Sequence, residues 1–418
     1  MEPMKIKSRS VFLTAVSVFI LLCAFNLGIY FPGAYLNEIG LCLLVVSYGI
    51  GITIIGLPAD QFIKYALLPA VVILGFIFFY AMVYSVHTGS SLVASILAQR
   101  NFIFFLWVPW IIMIRKSGMS TDAIEKMLFY AMAIATTTYF IVYMMIYIPQ
   151  TLPFIKTILI NILGIDQDRG IRVKGPMFIV LISLYYYPGL LKKAKNYQAF
   201  LWIWFLILCD GVVLILHQPR TLLIGGFLSL ITLYVLSRDR RFFRRIMILL
   251  IPAVLIVMVA GRPILHLVGD QFGGNFSLSA RIFSAGIALR SIQNYPIFGL
   301  GFASHQSLAY QKFFGDSFYP DDIGLLGVVF QFGIAGGLLY VGGLIWLIFT
   351  SLKNLKVSTR FPGGWSVGLS KLMVFSTLVM LFIMPTIAKA IRDDGIGITA
   401  FIVGLLLSNS FTNPVIKS

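Results

Sequence analysis

Apolar runs close to the length of a bilayer crossing follow one another along this chain, separated by short polar or basic stretches. A spanning helix needs roughly 20 such residues. Twelve segments answer to that pattern: 11–32, 36–57, 65–86, 101–114, 126–148, 176–191, 199–217, 221–236, 246–261, 323–350, 371–388 and 395–409. The fourth is short, and the tenth is long enough to tilt or to run past the bilayer. Lipid offers the backbone no hydrogen-bonding partner, so each segment is predicted as helix and the fold class as all-α, a polytopic membrane protein. No internal repeat or linker divides the chain, which reads as one integral membrane domain over 1–418 with a long loop at 262–322 between the ninth and tenth spans.

Composition agrees with that reading. Hydrophobic residues make up 59% of the 418 and charged residues 11%, with a mean hydropathy of +0.94. A soluble domain carries about 25% charged residues, so this chain is predicted to bury most of its surface in lipid. Val11 to Phe31 lacks a small-residue cleavage site and is long enough to span, so it is read as the first span and not as a signal peptide. Cys23, Cys42 and Cys209 all fall inside apolar runs and carry no pairing or metal spacing.

Charge sets the orientation. The net charge of +17 comes from 32 Lys and Arg against 15 Asp and Glu. In a soluble protein that excess would suggest nucleic acid, but here the positive-inside bias accounts for it. Lys5, Lys7 and Arg9 place the N-terminus inside. Alternation then puts Arg115 and Lys116, Lys192 to Lys195, Arg238 to Arg245, and Lys353 to Lys371 on the same side. Both termini are expected to be cytoplasmic.

The basic residues left on the outer side carry the functional argument. His217-Gln218-Pro219-Arg220 closes the seventh span and opens the eighth. An Arg at such a mouth can hold an anion by a charged fork; an interfacial Arg snorkelling to lipid phosphates would look the same. Asp210 lies inside the seventh span, two helical turns from His217 on the same side. An ionisable group there is costly, and either lines a polar path or is paired structurally.

The stretch from Ser279 to Arg290 reads as an amphipathic helix at the membrane surface, with Ser279 as its cap. Arg281 and Arg290 are nine residues apart, which puts them on opposite faces of a regular helix. Tyr295-Pro296-Ile297-Phe298-Gly299-Leu300-Gly301 follows as a breaker and turn, then His305, then Asp321 and Asp322 at the mouth of the tenth span. One of the two carboxylates is expected to cap that span. A second outer cluster, Lys156 to Lys174, contains Arg172. Asp166-Gln167-Asp168 is the sole Asp-x-Asp and sits in a mixed-charge loop, so no metal site is expected; no Walker loop exists either.

Taken in order, Arg220, a long outer loop with Ser279-Ala280-Arg281, the Tyr-Pro-Ile-Phe-Gly-Leu-Gly stretch, and a polar pair twelve residues before Gly333-Ile334-Ala335-Gly336 resemble the O-antigen ligase and Wzy-type polymerase superfamily. The motifs cover roughly 170–340; span count and loop placement extend the likeness to the whole chain. The resemblance implies a GT-C-like membrane glycosyltransferase with its active site on the periplasmic face of a bacterial inner membrane. Its donor would be an undecaprenyl-diphosphate-linked glycan, used without metal, nucleotide or other cofactor. Arg220 and Arg281 correspond to the diphosphate-binding arginines, and Arg172 with Gly175 to an Arg-x-x-Gly before the sixth span, while Arg290 has no counterpart. Where ligases carry a His, this chain has Asp321-Asp322, a departure that favours a polymerase of repeat units over a ligase acting on lipid A core. Asp321, Asp322 or His305 would then assist the acceptor hydroxyl. Membrane lipid and a chain-length regulator are the further partners implied, and nucleic acid is not. A flippase of lipid-linked glycans shares the span count, but calls for charge at midmembrane in both halves; apart from Asp210, such charge is scarce here.

Overall fold

The computed structural model describes residues 3–27, 36–55, 60, 63–116, 118–147, 175–191, 193–217, 220–237, 276–301, 314, 318–360, 367–388 and 393–412. Among them the chain is helical, with no strand. The helices are α1 (Pro3–Ala24), α2 (Leu36–Ile55), α3 (Leu68–Thr88), α4 (Leu92–Ala98), α5 (Trp107–Lys116), α6 (Thr121–Tyr147) and α7 (Met177–Leu191). They continue with α8 (Tyr197–His217), α9 (Arg220–Ser237), α10 (Phe276–Asn294), α11 (Leu325–Arg360), α12 (Val367–Ile383) and α13 (Asp393–Thr412).

Four stretches among the described residues are long and apolar enough to cross a membrane: Ile63–Thr88, Thr121–Met145, Tyr197–Ile215 and Leu325–Thr359. A fifth is a bent pair, and shorter apolar helices occupy six further stretches between Leu13 and Ser408. Every apolar segment read from the sequence therefore has a helical counterpart except 246–261, which lies outside the described residues.

Two spans differ from expectation. The short fourth segment is part of a longer, broken one: α4 and the stretch Arg100–Lys116 form a pair bent by 56°. Ser91 caps α4 by accepting the Ala94 N–H, and a 3₁₀ turn over Arg100–Leu106 leads into α5. The apolar count missed α4 because Ser90, Ser91, Ser95 and Gln99 interrupt the run. The tenth segment is long because it holds two helices joined at Gly333, whose backbone (φ 69°, ψ −176°) is not helical.

The bundle packs α8 on α7, α9 on α12, α13 on α5, and α11 on α12. Small residues allow the closest approaches, as packing between membrane helices requires. Gly225 of α9 lies against Ile383 of α12, and Gly404 of α13 against Ile111 of α5. At one end, the buried Glu125 accepts from Tyr186 and pairs with Lys193 at 3.3 Å. Arg115 and Lys116 close α5, beside Tyr65, whose ring lies under Lys116. The opposite end gathers α10, the turn after it, and the Tyr319–Gly324 segment.

Candidate functional site

The turn after α10 is built into the break in α11. A helix interrupted at Gly333 would strand the carbonyls of Phe330, Gln331 and Phe332, all buried residues, and the N–H groups of Ile334 and Ala335. Each finds a partner. The Leu300 N–H donates to the Phe330 carbonyl at 2.9 Å, and the Gly301 N–H to Gln331 at 2.9 Å. In return the Ile334 N–H donates to Pro296 at 2.8 Å, and the Ala335 N–H to Ile297 at 3.3 Å. The Tyr80 hydroxyl of α3 takes the Phe332 carbonyl at 3.1 Å.

The glycines that read as a weak loop motif have a steric purpose here. A Cβ on Gly299 would overlap the Gln331 and Gly333 backbone, and one on Gly301 the backbone of Tyr84. An apolar cluster of Tyr84, Ala288, Leu300, Phe318 and Phe330 seals the joint between α3, α10 and α11.

This joint fixes α10 from its C-terminal side, and Ser284 fixes it from the middle. The Ser284 hydroxyl accepts the Tyr319 N–H at 3.2 Å, which ties α10 to the 3₁₀ turn Pro320–Ile323 carrying Asp321 and Asp322. Arg281 is one turn before Ser284 on the same side, where neighbouring Cβ atoms are about 5–6 Å apart. It is half-buried, whereas Arg290 is exposed. The two arginines do face opposite ways, and Arg281 belongs to the packed face.

One capping expectation is corrected. α10 begins at Phe276, so Ser279 lies within it. Asp321 and Asp322 form their own 3₁₀ turn, ended by Gly324, and the Leu325 N–H that opens α11 donates to the Met384 carbonyl at 2.9 Å. The carbonyl of Asp321 in turn accepts the Ala388 N–H at 3.2 Å. The acidic turn is thus clamped between α10 and the 384–388 turn after α12.

The same clamp leads to Arg220. Arg220 opens α9, and Gly225, five residues on, packs against Ile383, the residue before Met384. These contacts carry Arg220, the Asp321-Asp322 turn and the Arg281 face to one end of the bundle. For Arg220 and His217 the backbone alone is described, and Arg172, Gln218 and His305 lie outside the described residues.

Asp210 is not part of that assembly. It is fully buried, and its carboxyl oxygens accept from Thr136 at 2.9 Å and Ser183 at 2.7 Å, joining α6, α7 and α8. Asp210→Ala should lower stability by about 1–3 kcal/mol through the orphaned hydroxyls, read as a fall in the melting temperature of the purified protein. Asp210→Asn should retain most of it, because an amide can still accept and donate. Equal melting of wild type and the Ala variant would remove Asp210 from the structural account.

Sequence reasoning missed His87. It sits in the last turn of α3, its ring 4.1 Å from that of Tyr295 and its Nδ1 3.4 Å from the Leu300 carbonyl. A carbonyl can only accept, so in this contact Nδ1 is the donor. Its signal in the sequence was slight: one of four histidines, at the outer end of a span. Among the described residues no group of His, Cys, Asp and Glu has the makings of a metal site.

The region just described, from α8 through the break in α11, coincides with a known family. Residues 205–341 match the model of the family described as O-antigen ligase. That stretch is similar to O-antigen ligases. The match is consistent with the O-antigen ligase and polymerase superfamily, and it takes in Arg220, Arg281, the Asp321-Asp322 turn and Gly333. No curated protein matches the chain. The matched stretch stops eight residues past the break at Gly333, so the inserted turn and both backbone segments that anchor it fall within it.

Proposed function

We propose that the chain polymerises oligosaccharide repeat units carried on undecaprenyl diphosphate, at the periplasmic face of a bacterial inner membrane, with twelve spans and both termini cytoplasmic. The observation that supports this reading best is the Ser284–Tyr319 contact. It seats the Arg281 face of α10 beside the Asp321-Asp322 turn, cation and carboxylate on neighbouring elements of one rigid assembly. Arg281, with Arg220 and Arg172, holds the donor diphosphate and stabilises the negative charge that grows on it as the glycosidic bond breaks. Asp321 or Asp322 orients or deprotonates the acceptor hydroxyl from the acceptor side, away from the phosphates it would repel. His305 is the remaining candidate for that role. The energy resides in the phosphoester already present, so the reaction calls for no metal or nucleotide.

A ligase that transfers finished glycan to lipid A core is the second reading, favoured by the description of the matched family. A gel of surface polysaccharide separates the two. Deletion of the gene should leave lipid A core capped with a single repeat, and wild type should restore the ladder. Asp322→Asn should restore it poorly, at least tenfold below wild type, if that carboxylate serves the acceptor. Loss of every capped form, single repeats included, would instead point to the ligase or to a flippase. An unaltered ladder in the deletion strain would end the glycan-assembly reading in that host.

A further inference from the structure

The outward face of α10 has a composition that the glycan chemistry does not use. Its exposed arc runs through Ile282, Phe283, Gly286, Leu289, Arg290, Gln293 and Asn294, half a turn of the helix away from the packed arc of Arg281, Ser284 and Ala288. Along that arc the residues change character in order. Ile282, Phe283 and Leu289 come first, at 64%, 54% and 54% exposure. Then Arg290, Gln293 and Asn294 form a polar band at i, i+3 and i+4, the spacing that makes side chains neighbours on a helix. Beyond the band, Ile297 and Phe298 are exposed again, with Phe298 packed edge-on to Phe79 of α3.

An exposed apolar face on a chain already committed to lipid has acyl chains as its natural solvent. A single cation flanked by two amides, framed by apolar residues on both sides, is what a phosphate headgroup with tails to either side requires. Arg290 supplies a planar fork that matches phosphate, and the amides supply further donors. A glycan would not explain the apolar frame. The donor diphosphate assigned above to Arg281 lies on the other side of the helix.

We propose that Arg290, Gln293 and Asn294 form a headgroup site for one anionic glycerophospholipid of the surrounding leaflet, its acyl chains lying on Ile282, Phe283, Leu289 and Phe298. This site does not depend on what the opposite face of the helix catalyses.

The test uses the purified full-length protein, stripped of lipid in detergent and titrated with phosphatidylglycerol or phosphatidylcholine under native mass spectrometry. Wild type should retain one more tightly held phosphatidylglycerol than Arg290→Gln at the same titration point. That corresponds to about fivefold weaker binding, the factor set by roughly 1 kcal/mol for one cation near an anionic lipid. Arg290→Lys should recover part of the difference, phosphatidylcholine should show none, and Arg281→Ala should hold the lipid as wild type does. Equal retention by wild type and Arg290→Gln, or no preference for phosphatidylglycerol, would overturn the proposal. So would displacement of the extra lipid by undecaprenyl diphosphate in wild type but not in Arg290→Gln, which would make the donor itself the occupant.

Discussion

Gly333→Ala should abolish polymer formation, while Gly342→Ala, nine residues further along the same helix, should leave it intact. Gly333 adopts φ 69° and ψ −176°, a region that is essentially closed to residues with a side chain and costs them on the order of 1–3 kcal/mol. A Cβ at Gly333 would also overlap the Ile297 carbonyl, which accepts the Ala335 N–H. The inserted turn would have to withdraw, and each hydrogen-bonding group left without a partner would add about 1–3 kcal/mol. At Gly342 the space for a methyl is open. The measurement is the polysaccharide ladder at matched membrane expression, together with limited proteolysis of the purified protein across 295–301. Gly333→Ala should be cut there and wild type protected. A full ladder and unchanged protection in Gly333→Ala would mean that the inserted turn contributes nothing to the active assembly.

That joint also marks where sequence stops being informative. Spanning helices are legible because hydropathy over some 20 residues reports directly on transfer into lipid, and apart from α4 and α10 the described helices fall where the apolar runs lie. The opposite faces of Arg281 and Arg290 were legible too, since helical periodicity alone decides them. The break at Gly333 was not. It depends on an exchange of hydrogen bonds with 296–301, more than thirty residues away, and a helix that accepts such an insertion is as apolar as one that does not. The setting of Asp321 and Asp322 was not legible for a related reason. Two carboxylates ahead of a helix do favour its positive end, but the Leu325 N–H was already given to Met384, a partner 59 residues further along. His87 had no local context at all, its contact with Leu300 spanning 213 residues. In each case the missing term is tertiary: a backbone group whose partner comes from another span.

Arg281→Ala should cost about a hundredfold or more in polymerisation, the scale on which removal of one preorganised group that stabilises developing charge is felt. The loss should fall on turnover more than on apparent donor affinity, because the charge it meets grows as the phosphate leaves. Arg281→Lys should recover part of the activity, since the charge stays but the planar fork is lost. Lys356→Ala, near the far end of α11, is the control and should behave as wild type. The half-buried setting of Arg281 gives the effect its size. Seated one turn from Ser284 and beside the acidic turn, it acts where solvent screens less than at an open surface. Raising ionic strength should therefore change the wild-type rate only modestly, whereas a solvent-exposed cation would lose most of its effect. The deciding measurement is the initial rate of repeat-unit coupling in reconstituted membranes, over a range of donor concentrations and at two salt concentrations. Full activity in Arg281→Ala at normal membrane levels would show that the donor diphosphate is held elsewhere. A loss expressed wholly as weaker donor binding, with unchanged turnover at saturation, would leave Arg281 as an anchor for the lipid-linked donor and take it out of the chemical step.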